Sequence, residues 1–393
     1  VWLLLFTLAG LLGIGFGAGL ALFAPRGEFA EYRYHLWRWQ AETLAPTAAR
    51  LAGLGPAPDT PGEIAAVRQY FALTSRLRAE LASETPDPRL IEVLENERAT
   101  YENDVERFIS RAITEVVQTA GLQRPLPLFR SIAITWPPVA FELTSPPHLL
   151  VISPRDRIER QSTKLLQPGL TLAAIERVEA RADTDEAVSL VVSIGGLAAY
   201  PAIVRDDRAY TTILETTAHE WVHHYLAFYP LGRQWSTGAE AEALNETVAN
   251  IAGREIARLV MLRYPIQFPP GEDGRAPPPD RHPEIDFHAE MRALRLAVDD
   301  LLAQGRVTEA EQLMEQTRRH LVANGISIRR INQAHFAFYG AYADRPDAVD
   351  PIGPLFEAVW KQTGDVGEFL RVSREVTSRA QLEQLVATFE ARP

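Results

Sequence analysis

The chain contains no cysteine. That excludes disulfides, thiolate metal sites and cysteine nucleophiles together, so any metal must sit on His, Asp or Glu. It leaves the compartment open, because a cysteine-free chain can work on either side of a membrane. An excess of basic charge is also missing: 40 Lys and Arg stand against 51 Asp and Glu, a formal net charge of −11. The electrostatic footprint of a nucleic-acid binder is absent, and no nucleic-acid partner is expected. Apolar residues are not scarce. With 46% hydrophobic positions among 393 residues, the chain can bury a large core, in one domain or in two packed lobes.

Charge of either sign is lacking from Val1 to Ala24, and the first charged residue is Arg26. A helix needs roughly 20 apolar residues to cross the hydrocarbon core, whereas the apolar part of a signal peptide runs to only about 7–15. Residues 1–24 are therefore expected to be an uncleaved transmembrane helix. Residues 25–61 are expected to follow as a juxtamembrane segment and linker. Phe29, Tyr32, Tyr34, Trp37 and Trp39 suit a membrane interface, and from residue 45 the chain thins into Ala, Pro and Gly.

Residues 62–393 read as one folded domain. Amphipathic helices are expected over 62–83 and 89–120, the second carrying Ile91, Leu94, Tyr101, Val105, Phe108, Ile109 and Ile113. Short β-rich runs follow at 139–143, 149–152, 187–194 and 202–204, with a helix near 170–181. From Thr211 the pattern is helical except for 264–285, which is too rich in Pro and Gly. The expected class is α+β. A small mixed sheet would form a front lobe (62–210), helices a back lobe (211–393), and the site would lie between them.

The segment His219-Glu220-Trp221-Val222-His223 stands at that junction. Histidines four apart share one helix face, with Cβ atoms roughly 5–6 Å apart, so both imidazoles can reach one ion. Glu220 is offset around the helix and can take a proton without ligating. This spacing is H-E-x-x-H on a helix, the arrangement of zinc peptidases. A metzincin continuation fails, because Leu226 and Tyr229 stand where Gly and His are needed. The inverted motif H-x-x-E-H is absent. A glutamate from a following helix remains, and Glu242 and Glu246 both qualify.

The segment 241–250, Ala-Glu-Ala-Leu-Asn-Glu-Thr-Val-Ala-Asn, resembles the second motif of the gluzincins, the thermolysin-like zinc peptidases, in which Asn-Glu-x-x-x-Asp follows the first. The resemblance covers roughly residues 187–262. It implies one Zn²⁺ per chain on His219, His223 and Glu246, with Glu220 as general base. It implies Asn250 as the supporting partner of His219, although the family keeps an acid there. It also implies an edge strand for the substrate backbone, for which Ala198, Ala199 and Tyr200 are the candidates. Tyr339 and His335, on a helix expected to run from Asn332 to Tyr342, are the candidate oxyanion donors. His224 is expected to be structural, and His282 and His288 to lie on a loop rimming the cleft.

The expected activity is zinc-dependent peptide hydrolysis. Because the Gly-x-Met-Glu-Asn motif of the aminopeptidase branch is missing, an endopeptidase is favoured. The alternatives are a membrane-tethered zinc-binding scaffold or inactive pseudo-peptidase, and a helical protein without metal. Arg26, Arg33 and Arg38 favour a cytoplasmic flank, but single N-terminal anchors on such hydrolases usually leave the domain outside. An extracytoplasmic domain acting on a peptide or protein substrate is therefore expected.

Overall fold

The computed structural model describes residues 29–51, 59–126, 129–275 and 285–391, so the expected membrane helix at 1–24 lies outside the described residues. No described helix is long and apolar enough to cross a membrane. The aromatic segment that follows does not stand apart as an interfacial strip. Phe29 is 2% exposed and packs with Leu150, Leu166 and Val178, while the Tyr34 N–H donates to Leu165 O at 3.0 Å. Only Trp37, 56% exposed, keeps the expected openness. Of the linker expected from residue 45, residues 45–51 belong to helix α1 (Leu36–Leu51) despite Pro46, and 52–58 lie outside the described residues. Side-chain anchoring explains this: Thr47 is buried and donates to Glu142, and Arg50 bridges Glu106 and Glu142.

Helices α2 (Thr60–Leu81), α3 (Pro88–Ala99) and α4 (Glu102–Thr119) come next. Asp87 caps α3 by accepting from the Arg89 N–H at 2.9 Å, with proline at the first helical position. The single helix expected over 89–120 is two. The Thr100 hydroxyl closes the last turn of α3 on Glu97 O at 2.7 Å. Leu94 then packs with Leu73 and Leu77, while Val105, Phe108 and Ile109 enter the main core. Apolar spacing carries across this break, and no Gly or Pro marks it.

Strands β1 (Gln123–Leu126) and β2 (Phe129–Thr135) form an antiparallel pair. β3 (Phe141–Leu143) is followed by β4 (His148–Pro154) and β5 (Ser162–Leu166), then by α5 (Leu172–Ala182) and β6 (Ala187–Ser193). β5, β4 and β6 make one antiparallel sheet. Its alternating side chains divide as period two requires. Leu150, Leu166 and Val191 face Val178 and Ala182 of α5, and Leu149, Val151, Leu190 and Val192 join Leu36 and Phe338 on the other face. The expected extension of this sheet by 202–204 does not occur. β8 (Ala202–Val204) pairs in parallel with β3 and antiparallel with the two-residue β7 (Gly196–Leu197), giving a separate three-stranded sheet.

The rest is helical: α6 (Tyr210–Leu226), a short turn α7 (Pro230–Arg233), α8 (Ala239–Arg263), the pair α9 (Phe287–Ala303) and α10 (Val307–Ala323), then α11 (Gln333–Tyr339), α12 (Ile352–Thr363), α13 (Val366–Ser373) and α14 (Arg379–Glu390). The largest core joins Val67, Phe108 and Ile113 to Leu214, Trp221, Val248, Phe356 and Leu382. Helices from both halves thus share one core, and the expected split into a sheet lobe and a helical lobe at residue 210 does not describe the packing. The fold is α+β, with three small sheets set among helices.

Candidate metal centre

Helix α6 is buried on almost every side. Trp221 donates its indole N–H to Pro137 O at 2.9 Å, and Leu214, Ala218 and Val222 lie in the main core. Its open stripe carries Glu215, Thr216 and His219, spaced as one helix face. α8 packs against α6 with Gly253 beside His219 and Asn245 beside His223, so the two helices run antiparallel. A Cβ on Gly253 would sit 3.0 Å from the His219 backbone nitrogen and 3.1 Å from its Cα. Glycine is required there for close approach, not for its backbone freedom.

Gly253→Ala should therefore fail to give the gain of about 1 kcal/mol that replacing a helix-interior glycine normally gives. Overpacking against backbone costs roughly 1–3 kcal/mol, and His219 cannot rotate away from a contact with its own main chain. Melting and zinc titration should show an unchanged or lower midpoint and weaker metal binding. A variant with a higher midpoint and full affinity would show that the helix contact does not set the position of His219.

Three donor atoms converge across the two helices. His219 Nε2 and His223 Nε2 are 2.9 Å apart, and Glu246 Oε2 lies 3.4 Å from the first and 3.5 Å from the second. His223 Nδ1 faces Asn245 Oδ1 at 2.7 Å. An amide oxygen only accepts, so Nδ1 carries a proton, and loss of the proton on Nε2 would free that nitrogen to bind an ion. Apart from the two imidazoles, buried Glu246 Oε2 has no hydrogen-bond partner among the described residues. Two imidazole nitrogens and a carboxylate oxygen at these separations could hold a metal ion. The expected ligand set, His219, His223 and Glu246, is brought together.

The electrostatics agree with that use. Burial opposes ionisation of Glu246, but the His223 and His219 imidazoles outweigh it and hold the carboxyl well below the usual range. Burial likewise opposes protonation of His223, and the Glu246 carboxylate reverses it, raising the imidazole to about 9. Glu220 is shifted the other way. Burial pushes its carboxyl up, while His219 and His223 pull it down by less. A raised carboxyl pKa beside a metal site suits a group that must accept and then release a proton.

The other expected residues fall less evenly. Glu242, the rival ligand, is committed to Arg160. Asn250 turns its Nδ2 to Asp344 Oδ1 at 2.9 Å, and Asp344 also pairs with Arg254. The placement of Asn250 as partner of His219 is thus replaced by an Asn250–Asp344 contact beside the site. Ala198, Ala199 and Tyr200 are buried, and Ala199 O accepts from His224 Nε2 at 2.7 Å. Their backbone is spent inside the protein, so they do not form the expected exposed edge. His224 is structural, held neutral by burial with its pKa lowered to about 4. The strand that borders the site is β7, one step earlier in sequence. A Cβ on Gly196 would run into Glu220 Oε1 and come within 2.8 Å of Thr216 Cγ2.

A cleft of about 460 Å³ opens over these groups, lined by Gly195 and Gly196, by His219 and Glu220, and by Tyr339 and Tyr342. α11 ends at Tyr339, so the helix expected to reach Tyr342 is cut short. His335 is not on the cleft wall. It is buried against Tyr339, with ring centres 4.6 Å apart, and burial lowers its pKa to about 4. Tyr342 lines the cleft, and the Glu246 and Glu220 carboxylates add to burial in holding its hydroxyl protonated. His288 is half exposed beside Asp347 at 3.3 Å, and His282 lies outside the described residues. A larger hollow of about 940 Å³ lies between α2 and the 264–275 loop. It contains none of the converging donors, so the chemistry is assigned to the smaller cleft.

Asp344, Arg160 and Tyr342 are the site residues that sequence reasoning missed or passed over. Asp344 and Arg160 lie in loops remote in sequence from the helical motifs, and neither belongs to a local pattern. Comparison with known proteins adds no relative: no family model matches the chain, and no curated protein or solved structure is significantly similar to it.

Proposed function

We propose that this chain is a zinc-dependent peptidase that hydrolyses internal peptide bonds. The observation that carries the proposal is the convergence of His219, His223 and Glu246, with Glu220 outside that group but next to His219 on the helix of the two histidines. Zinc held by those three residues would acidify a water and polarise a carbonyl group. Glu220 takes the proton of the attacking water and delivers it to the leaving amine. The Tyr342 hydroxyl, kept protonated, donates to the carbonyl oxygen as negative charge develops there. β7 pairs only with β8 among the described strands. Its outer edge, at Gly196 beside Glu220, can align an extended peptide by main-chain hydrogen bonds.

The inactive-scaffold alternative drew on the uncharged Asn250. Asp344, joined to Asn250 and with its side chain 1% exposed, puts a carboxylate beside that position, which weighs against the alternative. The uncharged run Val1–Ala24 is long enough to serve as a membrane tether.

Purified protein loaded with zinc should hold one ion per chain and cleave members of a mixed peptide library. A chelator should abolish both. Zinc binding with no cleavage of any library member would return the reading to a scaffold, and absence of zinc would end it.

A further inference from the structure

The charged residues of the cleft wall are Glu215, His219, Glu220, Arg254, Asp344 and Arg345. Most are committed to an opposite charge or to the donor set. Arg254 pairs with Asp344, which also accepts from Asn250. Arg345 pairs with Asp347 at 3.1 Å and lies over the Tyr339 ring. Glu220 faces the donor set. Glu215 makes no hydrogen bond or ion pair with any described residue, although it is half-buried in the wall. Burial pushes its carboxyl up, and Arg254, the cation that bears on it, pulls the other way while remaining bound to Asp344.

Position and surroundings give this residue a use. Four residues at 1.5 Å each set Glu215 roughly 6 Å along the helix from His219. An extended peptide advances roughly 3.3 Å per residue, so Glu215 stands within two residues of a bond held at the metal centre. The same wall carries Ile194, Phe338 and Pro346, which can cover an aliphatic stem while its charged end reaches the acid.

We infer that Glu215 selects a basic side chain, lysine or arginine, within two residues of the scissile bond. This rests on the peptidase reading of the same site, but binding can test it apart from turnover. The probes are two zinc-loaded proteins, Glu220→Gln and the double variant Glu215→Gln/Glu220→Gln. The ligands are matched peptides that differ only in Arg, Ala or Glu at the positions flanking the central bond.

The Glu220→Gln protein should bind the arginine peptide about tenfold or more tightly than the alanine one, the scale of a partly desolvated charge-assisted hydrogen bond. Adding Glu215→Gln should collapse that ratio to within about twofold, while the protein still takes up one zinc per chain. With Glu220 intact, the ratio of kcat/KM for the two peptides should fall by the same factor on Glu215→Gln, and Glu215→Arg should favour the glutamate peptide. An arginine preference that survives Glu215→Gln would overturn the assignment. So would equal binding of all three peptides by the Glu220→Gln protein. If no peptide is ever cleaved but the binding preference tracks Glu215, the peptidase reading fails, and only the recognition of a basic side chain by Glu215 stands.

Discussion

Glu220→Gln should leave zinc binding intact and lower kcat by roughly 10²–10⁴-fold, the usual contribution of a positioned general base. The substitution keeps the shape of the side chain and removes its ability to accept a proton. The donor set should not notice, because His219, His223 and Glu246 converge without Glu220. Nor should packing change, since the amide occupies the same space over Gly196, where an added Cβ would already collide. Burial raises the Glu220 pKa, so the group is poised closer to neutral pH than an ordinary glutamate. Parallel measurement of zinc content and initial rates makes the test. A variant that cleaves as fast as the parent would remove Glu220 from the mechanism.

The second large effect concerns the metal itself. Glu246→Ala should lower zinc affinity by well over the roughly 10–100-fold associated with losing a supporting residue, because it deletes one of three ligands outright. His219 and His223, with Nε2 atoms 2.9 Å apart, would keep a two-nitrogen site without compensating charge. The metal-free protein should suffer as well. Glu246 is the carboxylate that stabilises protonated His223 in a buried position, and removing one partner of such a pair typically costs about 3–5 kcal/mol. Zinc titration and thermal melting of the apo protein should both show the loss. Glu242→Ala serves as the comparison, because Glu242 is held by Arg160. If Glu242→Ala abolished zinc binding and Glu246→Ala did not, the ligand set would be wrong.

What could be read from sequence follows the range of the interactions. The spacing of His219 and His223 is a property of one helix, and Asn245-Glu246 is one dipeptide on the next, so local pattern sufficed for the donor set. Strand Ala202–Val204 was likewise legible from its composition, but its partner was not, because pairing with Phe141–Leu143 is settled sixty residues away. Asn250 was read in isolation. Its neighbour Asp344 arrives from beyond α11, 94 residues on, and no periodicity announces it. The gluzincin resemblance puts a substrate edge strand just before the motif helix, and Ala198-Ala199-Tyr200 stands there in the sequence. The deciding contact, His224 Nε2 on Ala199 O, joins the chain to a helix that the stretch itself does not predict. Within 29–51 the packing departs from the membrane-interface and linker readings for a related reason. Aromatic residues suit a bilayer surface and a protein core equally, and Arg50 found Glu106 and Glu142 only once the domain had folded around it.

The contact of Gly253 with the main chain of His219 bears on how such a site can change over time. Because backbone meets backbone, the distance between the two histidines and Glu246 is set by the helices themselves and not by the segment connecting them. The stretch 234–238 between α7 and α8, exposed except at Trp235, can lengthen or shorten at the small entropic penalty of an altered loop. The donor geometry would stay where it is. Related chains should therefore tolerate insertions between the two motifs far more readily than any side chain at position 253.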